Sequence, residues 1–537
     1  MPEATRRPAA TWIPLGLVLA VGLFVRLVFA GIAPMFLEGD SQSYLLPGWE
    51  LANGYGFSPE LRRAPLYPLF IAASFRLFGQ DLNALALAQH AVGLATVGLT
   101  FLLARRLFGT AAGFLAGLAV AVSGPQLIYE RYLMTEALFG CLLALAALAM
   151  VAALRPSVAP SPAKPVCSGH RWRPIVSSPL LPLLAGLAIG PAALTRPVAQ
   201  AILPLFVLAL LLGVPRWRPA LKAAGLALLG YGLLVLPWMA RNLAAHETPA
   251  AAGGLGRSLI ARTVKYDSLF DWKRLSETYD GRDDLPARAR ILLYNKRGQI
   301  PNSRSVRPYQ DALIRDLGLT QGQSETVMRQ IALEAIARRP ADYLAGSLRF
   351  TGLLLLGSEE RLQSHWKQRA NKEWAEQWDD RLDFLVKPVS HWPDEDNRDH
   401  GSFDDSPKLL AAATLLTELY QPARVAWPLL SLALVGGWFA VRKPSRRPAL
   451  LLATTALALL ALSAFLDGPV PRYRYPLDPL IAVLAAGGVS GAAELLGAGH
   501  RWRQRARTRR SRSDDLAVPL SDGDGTPIPS ASGTGPG

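Results

Sequence analysis

The apolar residues of this chain are gathered into long runs almost free of charge, and this clustering constrains the fold most strongly. Each run is near the ~20 residues that a helix needs to cross a bilayer. Candidate spans fall at 11–33, 83–104, 110–129, 133–154, 179–194, 198–214, 221–240, 424–441, 449–466 and 476–497. Half of the 537 residues are hydrophobic and mean hydropathy is +0.20. Only 18% are charged, against about 25% in soluble domains. An all-α polytopic membrane protein is expected. A soluble multidomain enzyme fits poorly, because its core helices would keep polar faces.

The first run follows Arg6 and Arg7 and continues past Arg26 to Leu37. A cleaved signal peptide has an apolar core of about 7–15 residues and ends at a small-residue site. An uncleaved first span is therefore expected. Basic residues then assign the sides of the membrane. Arg105 and Arg106, Arg155 to Arg173, Arg216 to Lys222, and Arg442 to Arg447 occupy alternate loops. All share one side if the N-terminus is cytoplasmic. Seven arginines between Arg501 and Arg512 end on that side too and supply much of the +16 net charge. Such a tail suits anionic lipid, and nothing else in the sequence suggests nucleic acid. Cys141 falls in a span and Cys167 in a cytoplasmic loop, so neither a disulfide nor a zinc site is expected.

This topology gives an N-terminal transmembrane module over 1–240, with a first outer loop at 34–82. A polar region at 241–423 lies outside, with helical-looking segments near 306–339 and 359–386. The C-terminal spans occupy 424–498. A basic and then disordered cytoplasmic tail covers 499–537. Two short apolar segments, 343–357 and 409–421, are either interfacial helices or a further pair of spans. The total is thus ten or twelve. No internal repeat is evident, which weighs against transporters built from duplicated halves.

Polar residues gather at the outer ends of the spans. Asp40 follows the first span, within Glu38-Gly39-Asp40-Ser41-Gln42-Ser43-Tyr44. It is either a solvated carboxylate that ends the helix or a general base, half-shielded by membrane helices, for an acceptor hydroxyl. Arg62-Arg63-Ala64-Pro65-Leu66-Tyr67-Pro68 reads as a guanidinium clamp for phosphate or as an interfacial helix anchored by snorkelling arginines. The two roles are compatible. Arg26 lies inside the first span, where a charge is costly. A structural partner such as Glu136 and a substrate role fit it equally. Glu130-Arg131-Tyr132 and Thr135-Glu136 form one outer turn. Thr195-Arg196-Pro197, Arg241-Asn242 and Arg472-Tyr473-Arg474-Tyr475-Pro476 lie at others. Arginines on this face breach the positive-inside rule, and an anionic ligand there would explain them.

These motifs, in this order and on one side, make the chain resemble the polyprenyl-phosphate-sugar-dependent glycosyltransferases of the GT-C fold. It looks most like the dolichyl-phosphate-mannose-protein mannosyltransferase-like proteins and the bacterial aminoarabinose transferases. The resemblance covers about 10–245 well and 424–498 moderately. It implies a GT-C bundle of about ten to twelve transmembrane helices. It implies that Asp40 matches the essential first-loop acid, although Ser41 stands where relatives often carry a second acid. By the same resemblance Arg63 meets the lipid phosphate, and Arg472 and Tyr473 lie near the donor. Tyr44, Tyr67, Glu136 and Arg196 join the expected substrate-binding set. Some relatives use a divalent metal, but no convincing ligand cluster is visible. The region 241–423 has no clear match and is expected to shape acceptor choice.

The expected reaction transfers a sugar from a polyprenyl-phosphate donor to a protein, glycan or lipid acceptor at the extracytoplasmic face, with inversion. The rival classes are a flippase or exporter of a lipid-linked or anionic molecule, and a non-catalytic scaffold.

Overall fold

A computed structural model describes residues 9–30, 35–37, 40–57, 63–154, 180–214, 216–298, 300, 306–356, 379–390, 411, 415, 425, 427–442 and 448–514. Helices dominate, and among the described residues β structure is limited to an isolated bridge between Phe36 and Tyr132. The helices of the N-terminal part are α1 (Ala9–Ala30), α2 (Gln42–Ala52), α3 (Leu66–Phe78), α4 (Leu82–Phe108), α5 (Thr110–Ala121), α6 (Gly124–Tyr129), α7 (Glu136–Ala153), α8 (Leu180–Thr195), α9 (Ile202–Gly213) and α10 (Trp217–His246). The polar region adds α11 (Leu255–Ala261), α12 (Trp272–Tyr279), α13 (Leu285–Lys296), α14 (Arg307–Leu317), α15 (Gln321–Arg338), α16 (Pro340–Leu356) and α17 (Asp383–Ser390). The last helices are α18 (Trp427–Arg442), α19 (Pro448–Leu466) and α20 (Asp478–Asp514).

Among the described residues six segments are long and apolar enough to cross a membrane: Trp12–Ala30, Leu82–Phe108, Glu136–Ala153, Trp217–His246, Pro448–Leu466 and Tyr475–Gly497. The chain is an integral membrane protein. On α10 the exposed leucines 221, 228, 229, 233 and 236 give the apolar surface that lipid would cover. The other expected spans appear as shorter apolar helices. The expected span at 110–129 is broken. Ser123 adopts an extended backbone, accepts a hydrogen bond from the Gln126 amide and starts a new helix with Pro125 in its first turn. Helix α3 is a further short apolar helix, within the expected first loop.

The segment 343–357 is largely α16, which packs on α19. Most of 409–421, most of 359–386, Cys167 and residues 515–537 lie outside the described residues. The helical stretch expected near 306–339 divides at Gly318, whose φ of +69° lies in the left-handed region that ends a helix. Thr320 then caps α15 in a capping box with Gln323.

Small residues set a close helix crossing. A Cβ on Gly186 would lie 2.0 Å from the Ala227 carbonyl oxygen, and one on Gly230 would lie 2.2 Å from that of Leu183. Helices α8 and α10 therefore touch backbone to backbone. The chain divides into two units, residues 1–490 and 491–537. The second contains the C-terminal part of α20, with the seven tail arginines.

Candidate functional site

Asp40 stands just before α2, where the positive end of a helix dipole favours a carboxylate. Its carbonyl accepts hydrogen bonds from the Ser43 amide at 3.2 Å and the Ser43 hydroxyl at 2.6 Å. Both carboxylate oxygens meet guanidinium groups. Oδ1 lies 2.6 Å from Arg63 Nη2, and Oδ2 lies 3.0 Å from Arg472 Nη2. Arg63 also donates to Ser43 Oγ at 2.7 Å and to the Tyr44 hydroxyl at 3.0 Å, and it lies over the Tyr44 ring. Burial pulls Arg63 down, yet Tyr44 and Asp40 outweigh it and leave this guanidinium above its ordinary range. It is a fixed positive charge.

Arg196 reaches the same place through a helix break. The residue before a proline avoids helical backbone, and Arg196, preceding Pro197, is extended at φ −137° and ψ 116°. Its side chain donates to Thr135 Oγ1 at 2.8 Å and pairs with Glu136 Oε1 at 2.6 Å. Arg472 Nε lies 3.7 Å from that Glu136 oxygen. Glu136 thus spaces two arginines, and it is 2% exposed.

A cavity of about 460 Å³ opens beside these groups. Five basic side chains line it: Arg63, Arg196, Arg257, Lys265 and Arg472. Among the described residues Asp40 and Asp467 are its only acidic lining residues. Arg257 and Lys265 come from α11 and the turn after it, inside the region expected to shape acceptor choice. Neither forms an ion pair among the described residues. Burial lowers Arg257 from its ordinary range, and the Glu325 charge works against that shift. The Asp467 carboxyl is raised by burial, against a hydrogen bond from Tyr473.

The cavity thus gathers Asp40, Tyr44, Arg63, Arg196, Arg472 and Tyr473 from the expected set. It does not include two others. Tyr67 is fully buried and donates to Gln89 Oε1 at 2.8 Å. Glu136 supports the arginines from behind. Arg26 pairs with Glu130 at 2.5 Å rather than with Glu136, because Glu130 turns inward over Gly93. His90 Nδ1 meets the other Glu130 oxygen at 2.7 Å. Glu38 and Arg62 lie outside the described residues.

The sequence reading missed Arg257, Lys265 and Asp467 as lining residues. Asp467 lies five residues before Arg472, and only its place on the cavity wall distinguishes it. It also missed Arg262, which is fully buried. Arg262 bonds Asp267 at 2.7 Å, Ser347 at 3.0 Å and the Ala464 carbonyl, and so ties the polar region to the end of α19. Among the described residues no group of three His, Cys, Asp or Glu side chains can hold a metal ion. The guanidinium groups on Asp40 would repel a divalent cation, so the described residues around it do not fit one.

Residues 62–159 match the dolichyl-phosphate-mannose-protein mannosyltransferase family. The expected resemblance to lipid-linked-sugar glycosyltransferases is met in this segment, which holds Arg63, Tyr67 and Glu136 but not Asp40, Arg196 or Arg472. No curated protein matches the chain. Among solved structures it is similar to the oligosaccharyltransferase AglB of Archaeoglobus fulgidus, in complex with an inhibitory peptide and a dolichol-phosphate. Identity is 14% and TM-score 0.43, over 92% of this chain and 52% of that one. The chain therefore spans about half the length of that protein. It is also similar to ArnT of Cupriavidus metallidurans bound to undecaprenyl phosphate, at 14% identity and TM-score 0.36, over 89% of this chain and 78% of that one. Likeness at these scores carries no detail of the site.

Proposed function

We propose that the chain is a GT-C membrane glycosyltransferase that moves a sugar from a polyprenyl-phosphate donor to an acceptor at the extracytoplasmic face. The observation that carries this reading is the charge layout of the cavity. A carboxylate, Asp40, stands on one wall, and two cations that form no ion pair among the described residues, Arg257 and Lys265, stand in the same cavity. Displacement at an anomeric carbon needs a group that orients the incoming hydroxyl and positive charge where the phosphate leaves. The match of residues 62–159 to the mannosyltransferase family supports a lipid-phosphate donor.

In this reading Asp40 is the catalytic carboxylate that orients and activates the acceptor hydroxyl. Arg63 and Arg472 hold it in one rotamer and add positive potential. Arg257 and Lys265 meet the leaving phosphate, with Arg196 adding positive field from the cavity wall. Fixed charges of this kind need no reorganisation as the phosphate leaves. The attack comes from the side opposite the phosphate, so configuration inverts. The lipid tail stays in the bilayer while the head enters the cavity.

The test is transfer from radiolabelled polyprenyl-phosphate sugars in membranes holding the wild-type protein or Asp40→Asn. Wild type should label an acceptor, and the variant should be slower by about 10²–10⁴-fold at equal expression. A near-normal rate in the variant would remove Asp40 from the mechanism. No product from wild type across a broad donor panel would shift the reading to transport.

A further inference from the structure

The cavity holds a second carboxylate with a different setting. Both oxygens of Asp40 are committed to guanidinium groups. Asp467 lines the same cavity and is half-buried. Its Oδ2 accepts a hydrogen bond from the Tyr473 hydroxyl. Among the described residues no hydrogen bond or ion pair engages its Oδ1. The residue is also held firmly by its backbone. Its amide donates to the Ser463 carbonyl at 3.0 Å, and its own carbonyl accepts from Arg262 Nη1 at 3.3 Å. Tyr266 packs against the next residue, Gly468, where a Cβ would lie 2.6 Å from the ring. Asp467 thus presents one open carboxylate oxygen to the cavity from a rigid loop.

We propose that Asp467 is a second catalytic carboxylate, which takes the proton that the acceptor hydroxyl loses while Asp40 holds that hydroxyl in place. The inference rests on the glycosyltransferase reading above. In the step, the acceptor oxygen bonds to the anomeric carbon as the bond from that carbon to the phosphate oxygen breaks. The electron pair of the broken bond leaves with the lipid phosphate. The acceptor proton ends on Asp467 Oδ1.

The electrostatics agree with this division of roles. Burial raises the Asp467 carboxyl, and the Asp40 charge adds to the rise. The Tyr473 hydrogen bond and the Arg472 and Arg196 charges oppose it without cancelling it. A base works best when its proton affinity lies closer to the working pH. Two carboxylates in one cavity with such different partners can divide the work of orientation and proton transfer.

The experiment compares wild type, Asp467→Asn and Asp467→Glu, using a polyprenyl-phosphate sugar that wild type accepts. Each is assayed with its natural acceptor and with azide. Azide attacks without losing a proton, so it needs no base. Asp467→Asn should lose about 10²–10³-fold in kcat with the natural acceptor, with little change in donor KM. Its acid limb of the pH profile should disappear, and transfer to azide should stay within a few-fold of wild type. Asp467→Glu should recover part of the rate. Equal loss with azide and with the natural acceptor, or a near-normal Asp467→Asn, overturns the proposal. No transfer by wild type to any acceptor or to azide overturns the glycosyltransferase reading itself.

Discussion

Arg472 Nη2 lies 3.0 Å from Asp40 Oδ2, across 432 residues of sequence. The contact joins the loop before α2 to the loop between α19 and α20. Arg472 also approaches Glu136, at the start of α7. One guanidinium therefore ties together three parts of the chain around the cavity. The Asp40 and Arg472 side chains are 27% and 17% exposed, which leaves them open to a ligand yet largely shielded from bulk water.

Replacing Arg257 should weaken the donor. Among the described residues the side chain has no ion pair to lose, so Arg257→Ala should fold normally. Hydrogen bonds to a charged partner contribute about 1.5–3 kcal/mol, which corresponds to roughly ten- to hundredfold in kcat/KM. Steady-state kinetics at varied donor concentration measure it. An unchanged kcat/KM would place the phosphate elsewhere in the cavity.

The pH profile should carry the mark of Asp467. The carboxyl acts when deprotonated, and its affinity for the proton is raised. Transfer should therefore fall as pH drops, with a midpoint above the ordinary carboxylate range. Stability should move the other way. A native carboxyl raised above its unfolded value stabilises most below the unfolded value, and that contribution is lost as pH rises through the native one. Rate and thermal unfolding measured over the same pH series show whether the two trends oppose each other.

The network beneath the site should be structural. Arg26, Glu130 and His90 are all nearly inaccessible. Glu130→Gln leaves the Arg26 charge buried without its partner, and breaking such a pair costs about 3–5 kcal/mol. The Glu130 turn is bridged by backbone bonds to Phe36, whose amide donates to the Arg131 carbonyl at 2.7 Å. Thermal unfolding in detergent should show the loss. Joint replacement of Arg26 and Glu130 by apolar residues should cost less than Glu130→Gln alone.

The crossing of α8 and α10 should tolerate no side chain. Gly186→Val would drive a Cβ toward the Ala227 carbonyl, which cannot swing aside as a flexible side chain can. Overpacking of this kind costs about 1–3 kcal/mol or more. Gly225, whose Cβ would meet nothing within 4 Å, is the matched control. Gly225→Ala should unfold at or above the wild-type temperature, since alanine favours helix.

Much of the fold was legible because hydropathy and helix breaks are local. Runs of apolar residues placed the long helices. The turn at Thr195-Arg196-Pro197 was expected between two spans, while Ser123 was overlooked because it interrupts an otherwise apolar run. The candidate cavity residues at the expected outer ends of spans were visible as charges out of place.

The sequence alone determined a helical membrane chain and marked acidic and basic residues at the ends of its expected spans. The tertiary structure decided their partners. It put Glu130, not Glu136, on Arg26, and it buried Tyr67 against Gln89. It brought Arg257 and Lys265 to the cavity and left one oxygen of Asp467 open. The reason is physical. Helix formation depends on residues a few positions apart, whereas ion pairing and burial depend on which helices lie side by side. That arrangement is set by contacts such as Gly186 against Ala227, which no local pattern records.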